Sequence, residues 1–282
     1  MNQKPFTILD IQKRKEAGIP ITMVTAYDFH SARLADTAEI DMILVGDSLG
    51  MTMMGLDSTV PVTMDEMLHH CRMVSRGSQF AFLVGDMPFM SYQADKAEAV
   101  RNAGRFLKEA GMDAVKLEGG TEMADTIQAI VRAAIPVLGH IGLTPQSVSQ
   151  LGGYKVQGKT AVSAQKLLQD ALALQEAGCF AIVLEAVPAP VAAVISRHLT
   201  IPTIGIGAGA ACDGQVLVWH DLLGLSNGRL PRFVKQYTNL SAIITNALAA
   251  YKQEVTTRIF PAEAHTYPMP ADELTAFLEE NG

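Results

Sequence analysis

The sequence predicts an α/β chain folded as a single (β/α)8 barrel. Three observations lead there. Short, almost wholly apolar β-branched runs alternate with helical patterns along most of the chain. No linker or compositional break divides it. Polar and charged residues stand just after the apolar runs, where a parallel barrel gathers its strand ends at one mouth. The 282 residues suit one barrel, a fold that typically runs to about 250 residues. With 49% apolar and 18% charged residues the chain can bury a large core, which excludes disordered, collagen-like and disulfide-scaffold classes. An open, doubly wound sheet would use the same alternation and is the competing fold.

A leading helix is expected at 8–17 and the first strand at 21–25. Further strands fall at 41–45, 80–84, 114–118, 136–139, 181–185, 202–206 and 215–218, each nearly continuous in apolar residues as parallel strands buried on both faces should be. Helices fill the gaps at 64–74, 95–110, 121–133, 163–177 and 191–198. Thr63 followed by Glu66 is a capping box for the first of these. Gly111 and Gly178 stand where the helices after the third and fifth strands should end. A trailing helix is expected at 237–254. Residues 1–267 then form the barrel with its flanking helices, and 268–282 a separate C-terminal tail with Pro268 and Pro270 and a short helix near 269–278.

The net charge of −7 lacks the basic footprint of a nucleic-acid binder. Cys71, Cys179 and Cys212 form no CxxC pair and read as small buried hydrophobes. Lys13-Arg14-Lys15-Glu16 precedes any run of signal-peptide length, and the most apolar stretch, 179–195, is broken by Glu185, Pro188 and Pro190, so no membrane span is expected. These features place the chain in the cytoplasm.

The strand ends carry the functional signal. The apolar runs lead in turn to Asp28, to Asp47 and Ser48, to Asp86, through Lys116 to Glu118, to His140 and to Glu185. An Asp after a strand often caps the next helix, but capping needs no Lys116 or Glu185 among Val, Ile and Leu. Asp47, Asp86 and Glu118 end three consecutive strands about 4.8 Å apart, so their carboxylates can reach a common point, and their mutual repulsion calls for a hard cation such as Mg²⁺. Lys116 lies two residues before Glu118 and faces the same side, beside that cation, where it can meet an anionic substrate. Glu185, after the run Ile182, Val183 and Leu184, ends the strand opposite the second one. It is placed to remove a proton α to a carbonyl whose developing enolate the cation stabilises. The loop 205–209, Gly-Ile-Gly-Ala-Gly, is no dinucleotide fingerprint; close backbone approach by a neighbour or ligand is its better explanation. His69 and His70 read as surface or interface residues. His140 is open to either a substrate hydrogen bond or a structural role. The long loop 142–159, with Lys155 and Lys159, reads as a lid.

Taken together, the segments TAYD (25–28), VGDSLGM (45–51), DSTVPVT (57–63), DMPFMSY (86–92), VKLEGG (115–120), GHIGLTPQS (139–147), GGYKVQGK (152–159), LEAVP (184–188), IPTIGIGAG (201–209) and DGQVLVWHD (213–221) resemble the 3-methyl-2-oxobutanoate (ketopantoate) hydroxymethyltransferase family, in order over roughly 6–267. The resemblance implies a (β/α)8 barrel of the phosphoenolpyruvate/pyruvate-binding superfamily type. It also implies transfer of a hydroxymethyl group from the co-substrate 5,10-methylenetetrahydrofolate to 3-methyl-2-oxobutanoate, through a Mg-stabilised enolate, to give 2-dehydropantoate in pantothenate biosynthesis. Carried over by motif, Asp47, Asp86 and Glu118 match metal positions, Asp47, Ser48, Asp86 and Lys116 match keto-acid positions, and Glu185 matches the proton acceptor. One Mg²⁺ per subunit and a homo-oligomer, a homodecamer, are implied as well. An isocitrate-lyase-like C–C lyase is the nearest rival, but the KKCGH-like motif such enzymes carry is missing. A catalytically silent oligomeric scaffold would not need the charged strand ends.

Overall fold

The computed structural model describes residues 5–226, 228 and 230–282, so residues 1–4 of the expected barrel unit lie outside the described residues. Strands β1 (Ile21–Thr25), β2 (Met42–Val45), β3 (Phe82–Asp86), β4 (Ala114–Glu118), β5 (Val137–Gly142), β6 (Ala181–Glu185), β7 (Thr203–Ile206) and β8 (Gly214–Leu217) pair in chain order. Every pairing is parallel, and β8 returns to β1. That closure rejects the open sheet.

Between and around the strands run helices α1 (Ile8–Ala17), α2 (Phe29–Thr37), α3 (Leu49–Thr52), α4 (Met64–Gly77), α5 (Lys96–Ala110), α6 (Ala124–Arg132), α7 (Val148–Leu151), α8 (Ala161–Glu176), α9 (Ala189–His198), α10 (Trp219–Leu223), α11 (Leu240–Thr256) and α12 (Ala271–Asn281). The capping box at Thr63 and Glu66 is formed, and Gly111 closes α5 at φ 69°. Gly178 lies one residue beyond the right-handed cap Ala177 of α8 and turns the chain there at φ 102°. The sequence pattern missed α2, whose buried positions are only Ser31, Ala32 and Ala35 and so give little apolar period.

Side chains alternate across each strand, giving two apolar layers. Ile43, Leu83, Val115, Val137, Ile182 and Leu184 pack outward with the helices. Met23, Met42, Phe82, Val84, Leu138 and Val183 fill the barrel, and fully buried Ile11 of α1 joins this inner cluster. Ion pairs Arg14–Asp41 (2.6 Å) and Lys15–Asp213 (2.8 Å) fasten α1 to the loops before β2 and β8. Gly85 lets α5 approach the sheet, since a Cβ there would run into the Phe106 ring. Two strand ends differ from the sequence pattern in a way that matters. β3 runs on to include Asp86, and β5 runs on through His140, because both segments stay in register with β4: Asp86 beside Lys116, Glu118 beside His140.

Candidate active site

In the inward phase of β3, β4, β5 and β6 the lower positions are apolar and the last are polar. Asp86 follows Phe82 and Val84, Lys116 and Glu118 follow Ala114, His140 follows Leu138, and Glu185 follows Ala181 and Val183. Of the apolar run before Glu185, only Val183 shares its inward face; Ile182 and Leu184 belong to the helix layer. Asp47, Ser48, Asp86, Lys116, Glu118, His140 and Glu185 line one cavity of about 920 Å³ at the C-terminal mouth. Asp28 does not join them. Its carboxylate accepts from the backbone N–H groups of His30 and Ser31 and caps α2. There the capping explanation holds.

Register converts directly into charge pairing. Lys116 Nζ lies 2.9 Å from Asp86 Oδ1. His140 stands between two carboxylates, its Nδ1 3.4 Å from Glu118 Oε1 and its Nε2 3.2 Å from Glu185 Oε2. Lys116 Nζ also lies 3.3 Å from His140 Nδ1. That nitrogen accepts from the ammonium in a neutral ring and donates to Glu118 in a protonated one. Burial and the Lys116 charge disfavour a charged imidazole, but the hydrogen bonds to Glu118 and Glu185 outweigh them and hold His140 at about 9. Burial likewise opposes the Lys116 ammonium, yet Asp86, Glu118 and Asp47 raise its pKa above the ordinary lysine value. Burial, then the charges of Asp86 and Glu118, push the Asp47 carboxyl well up; burial also raises Asp86 despite Lys116.

Several organising residues carried no sequence signal of their own. Tyr27, fully buried, hydrogen-bonds the Ser48 hydroxyl at 2.9 Å. Buried Gln146 donates from Nε2 to Asp47 Oδ2 (2.9 Å) and from its backbone N to Glu118 Oε2 (3.0 Å). Asp221 also lines the cavity. From the loop after β5, Tyr154, Lys155 and Val156 line it and Lys159 does not; the Tyr154 hydroxyl meets Met51 Sδ at 3.7 Å. The glycine-rich loop is used for close approach: Gly207 sits at φ 66°, and a Cβ there would meet the Phe233 ring at 2.6 Å. His69 is exposed, whereas His70 is part-buried and its Nδ1 contacts the Tyr27 carbonyl at 2.6 Å. All three cysteines are free and buried, and none lines the cavity.

The residues fit a hard divalent cation in donor chemistry. Asp86 Oδ1 and Glu118 Oε1 are buried carboxylate oxygens whose near partners are the Lys116 ammonium and the His140 ring, and oxygen donors of this kind suit Mg²⁺. They do not form a closed cage: among the described residues, no three His, Cys, Asp or Glu side chains are gathered tightly enough to hold an ion unaided. Mg²⁺ tolerates this, because it usually retains waters and takes only one or two protein carboxylates.

A parallel (β/α)8 barrel with buried carboxylates, a lysine and a carboxylate-flanked histidine at its C-terminal mouth defines an enzyme of acid–base or metal-assisted chemistry. The family model described as ketopantoate hydroxymethyltransferase matches residues 5–263. The chain is 59% identical over 263 residues to the 3-methyl-2-oxobutanoate hydroxymethyltransferase of Carboxydothermus hydrogenoformans, covering 93% of this chain and 95% of the relative. It is 57% identical to the enzyme of that name from Geobacillus kaustophilus, covering 95% and 96%. The chain therefore belongs to the ketopantoate hydroxymethyltransferase family. Among solved structures the fold resembles phosphoenolpyruvate phosphomutase from Streptomyces platensis subsp. rosaceus (TM-score 0.60, 19% identity, 97% of each chain). It also resembles 2,3-dimethylmalate lyase, a member of the PEP mutase/isocitrate lyase superfamily (TM-score 0.56, 16% identity, 98% and 99%). No helix among the described residues is long and apolar enough to cross a membrane.

Proposed function

We propose that the mouth cavity is where this chain performs its family's reaction, with 3-methyl-2-oxobutanoate held by Asp47, Ser48, Asp86 and Lys116 and its C3 proton taken by Glu185. The chain is a hydroxymethyltransferase of pantothenate biosynthesis, and its product is 2-dehydropantoate. The observation that carries the site assignment is the charge chain across one cavity, Asp86–Lys116 on one side and Glu118–His140–Glu185 on the other.

Lys116 is the buried cation that a substrate carboxylate meets, and Ser48, held by Tyr27, offers a hydroxyl beside it. Asp47, Asp86 and Glu118 are the residues that would hold Mg²⁺. When bound, the ion supplies Lewis acidity toward the keto oxygen and takes up charge that develops there. Glu185 Oε2 faces His140, which leaves Oε1 to accept the C3 proton as the C–H electron pair passes into the enolate. C3 then bonds to the one-carbon unit carried by 5,10-methylenetetrahydrofolate; both of that unit's bonds to the folate nitrogens N5 and N10 break, water provides the hydroxyl oxygen, and the protons given up by C3 and by water end on the two nitrogens of tetrahydrofolate. Apolar walls at Leu143, Val183 and Val187 keep bulk water from the enolate.

The same reading takes residues 1–267 as one barrel unit with a tail at 268–282, a cytoplasmic location, and assembly into a homo-oligomer, a homodecamer. Free buried thiols suit a reducing compartment, and exposed apolar side chains on α11 suit self-association.

Solvent-deuterium exchange at C3 of 3-methyl-2-oxobutanoate, followed by NMR with Mg²⁺ and without folate, isolates proton removal. Glu185→Gln should slow exchange by about 10²–10⁴-fold with keto-acid affinity nearly intact. Undiminished exchange would remove Glu185 from the role. Asp86→Ala should weaken Mg²⁺-dependent keto-acid binding, and an unchanged Mg²⁺ requirement would count against Asp86 as a ligand.

A further inference from the structure

We propose that Gln146 is a positioning residue that fixes the orientation of the Asp47 carboxylate and couples it to Glu118, through an amide that can point only one way. The proposal rests on reading Asp47 as a ligand of the divalent cation.

Gln146 sits in the single 3-10 turn Pro145–Ser147 after β5 and is 5% exposed. An amide offers two N–H donors and two acceptor lone pairs. All four are engaged. Nε2 donates to Asp47 Oδ2 at 2.9 Å and to the Met87 carbonyl at 3.0 Å. Oε1 accepts from the Tyr92 hydroxyl at 2.7 Å and from Gln93 Nε2 at 3.3 Å. The backbone N–H of the same residue donates to Glu118 Oε2 at 3.0 Å.

The orientation is overdetermined. A flipped amide would turn its oxygen toward the Asp47 carboxylate and the Met87 carbonyl, two acceptors. Tyr92 supports the same orientation: its hydroxyl oxygen accepts the Glu118 N–H at 3.1 Å, and its proton has Gln146 Oε1 at 2.7 Å as the nearer acceptor, with the Glu118 carbonyl at 3.3 Å. Among the described residues Gln146 is the one side-chain donor to the Asp47 carboxylate, so it occupies Oδ2 and leaves Oδ1 for a ligand. A side chain that merely filled this space would not need an N–H aimed at a buried carboxylate, nor a neighbour holding its oxygen. Donors of this kind orient metal-binding carboxylates and tune affinity.

The test uses the purified full-length chain and Mn²⁺ alone, titrated by electron paramagnetic resonance so that no turnover is needed. Gln146→Glu keeps the shape but sets an acceptor against Asp47; Mn²⁺ affinity should fall roughly 10–100-fold. Tyr92→Phe keeps the amide and removes its lock, and the loss should be smaller. Gln146→Met supplies an apolar variant of similar length if the Glu variant fails to fold, with the same loss expected. Folded Gln146 variants that bind Mn²⁺ as the wild type does, with only thermal stability changed, would overturn the proposal. So would a wild-type chain that binds no Mn²⁺. Deuterium exchange by the wild type reports separately on the reaction: normal exchange beside unaltered Mn²⁺ affinity in the variants sinks Gln146 alone, whereas Mn²⁺ binding that depends on Gln146 without any exchange sinks only the reaction.

Discussion

A single lysine shows how charge is balanced in the cavity. Lys116 is 4% exposed and shares its surroundings with Asp86, Glu118 and Asp47. Removing one partner of a buried pair costs more than the pair itself contributes, because a buried charge is left unmatched. Lys116→Met should therefore lower unfolding free energy in EDTA by about 3–5 kcal/mol. Excess Mg²⁺ should recover part of the loss by supplying the missing positive charge. Urea titrations with and without the metal check both halves, and a variant as stable as wild type in EDTA would show that the lysine is not needed for charge balance. Lys116 and Glu118 were legible in the sequence because charges within an apolar parallel strand have no structural use. Gln146 was not legible: a neutral amide in a turn looks like any loop residue until its partners, far apart in sequence, are brought to it. Asp28 and Asp47 both follow strands, and sequence spacing alone could not separate the capping aspartate from the cavity one.

At the level of elements, the barrel's aspartates divide by end. Asp47 and Asp86 at the C-terminal mouth face the cavity, while others tie the N-terminal end together. Asp41 accepts from Thr22 N (2.8 Å), Asp113 from Leu83 N (2.8 Å) and Asp213 from Thr203 N (2.8 Å), each reaching from the approach to one strand to the start of its neighbour. Asp36, on α2, accepts from Ser78 Oγ (2.6 Å) and from the N–H groups of Gln79, Phe80 and Ala81, gathering the turn between α4 and β3. Burial works against its charge, but these donors outweigh it and lower its pKa below 3.8. A carboxyl lowered on folding stabilises above its unfolded pKa, and that contribution is lost as pH falls through the folded value. Asp36→Ala should cost about 1.5–3 kcal/mol near neutrality. The gap from wild type should narrow below pH 3.8, which urea unfolding across pH can follow; a gap independent of pH would mean that the carboxylate charge plays no part. Strands were legible because burial on both faces makes them uniformly apolar. Helix α2 was hidden because it packs through Ser31, Ala32 and Ala35, which carry little hydrophobic contrast.

For the whole molecule, the barrel is complete in its strands, yet α11 has no buried residue. Ile244, Leu248, Tyr251 and Val255 repeat at spacings of four, three and four, the stripe by which one helix packs on another, and Leu248 and Tyr251 remain 62% and 57% exposed. Helix α12 likewise exposes Leu274, Phe277 and Leu278. A stripe at helical spacing, left open along several turns, calls for a covering surface. A charged fraction of only 18% is compatible with such a covered surface. The occupant argued for is a second copy of this chain, as the proposed homo-oligomer requires. Leu248→Glu combined with Tyr251→Glu would place two charges in that stripe and should dissociate the assembly in light scattering. The circular dichroism of the barrel should change little, because neither side chain contributes to the apolar layers around the strands. Cavity residues Asp47 to Glu185 all belong to one chain, so the dissociated variant should still exchange the C3 proton of the keto acid. A wild-type chain that is monomeric at micromolar concentration, or a doubly substituted one that assembles unchanged, would show that these helices serve some other surface.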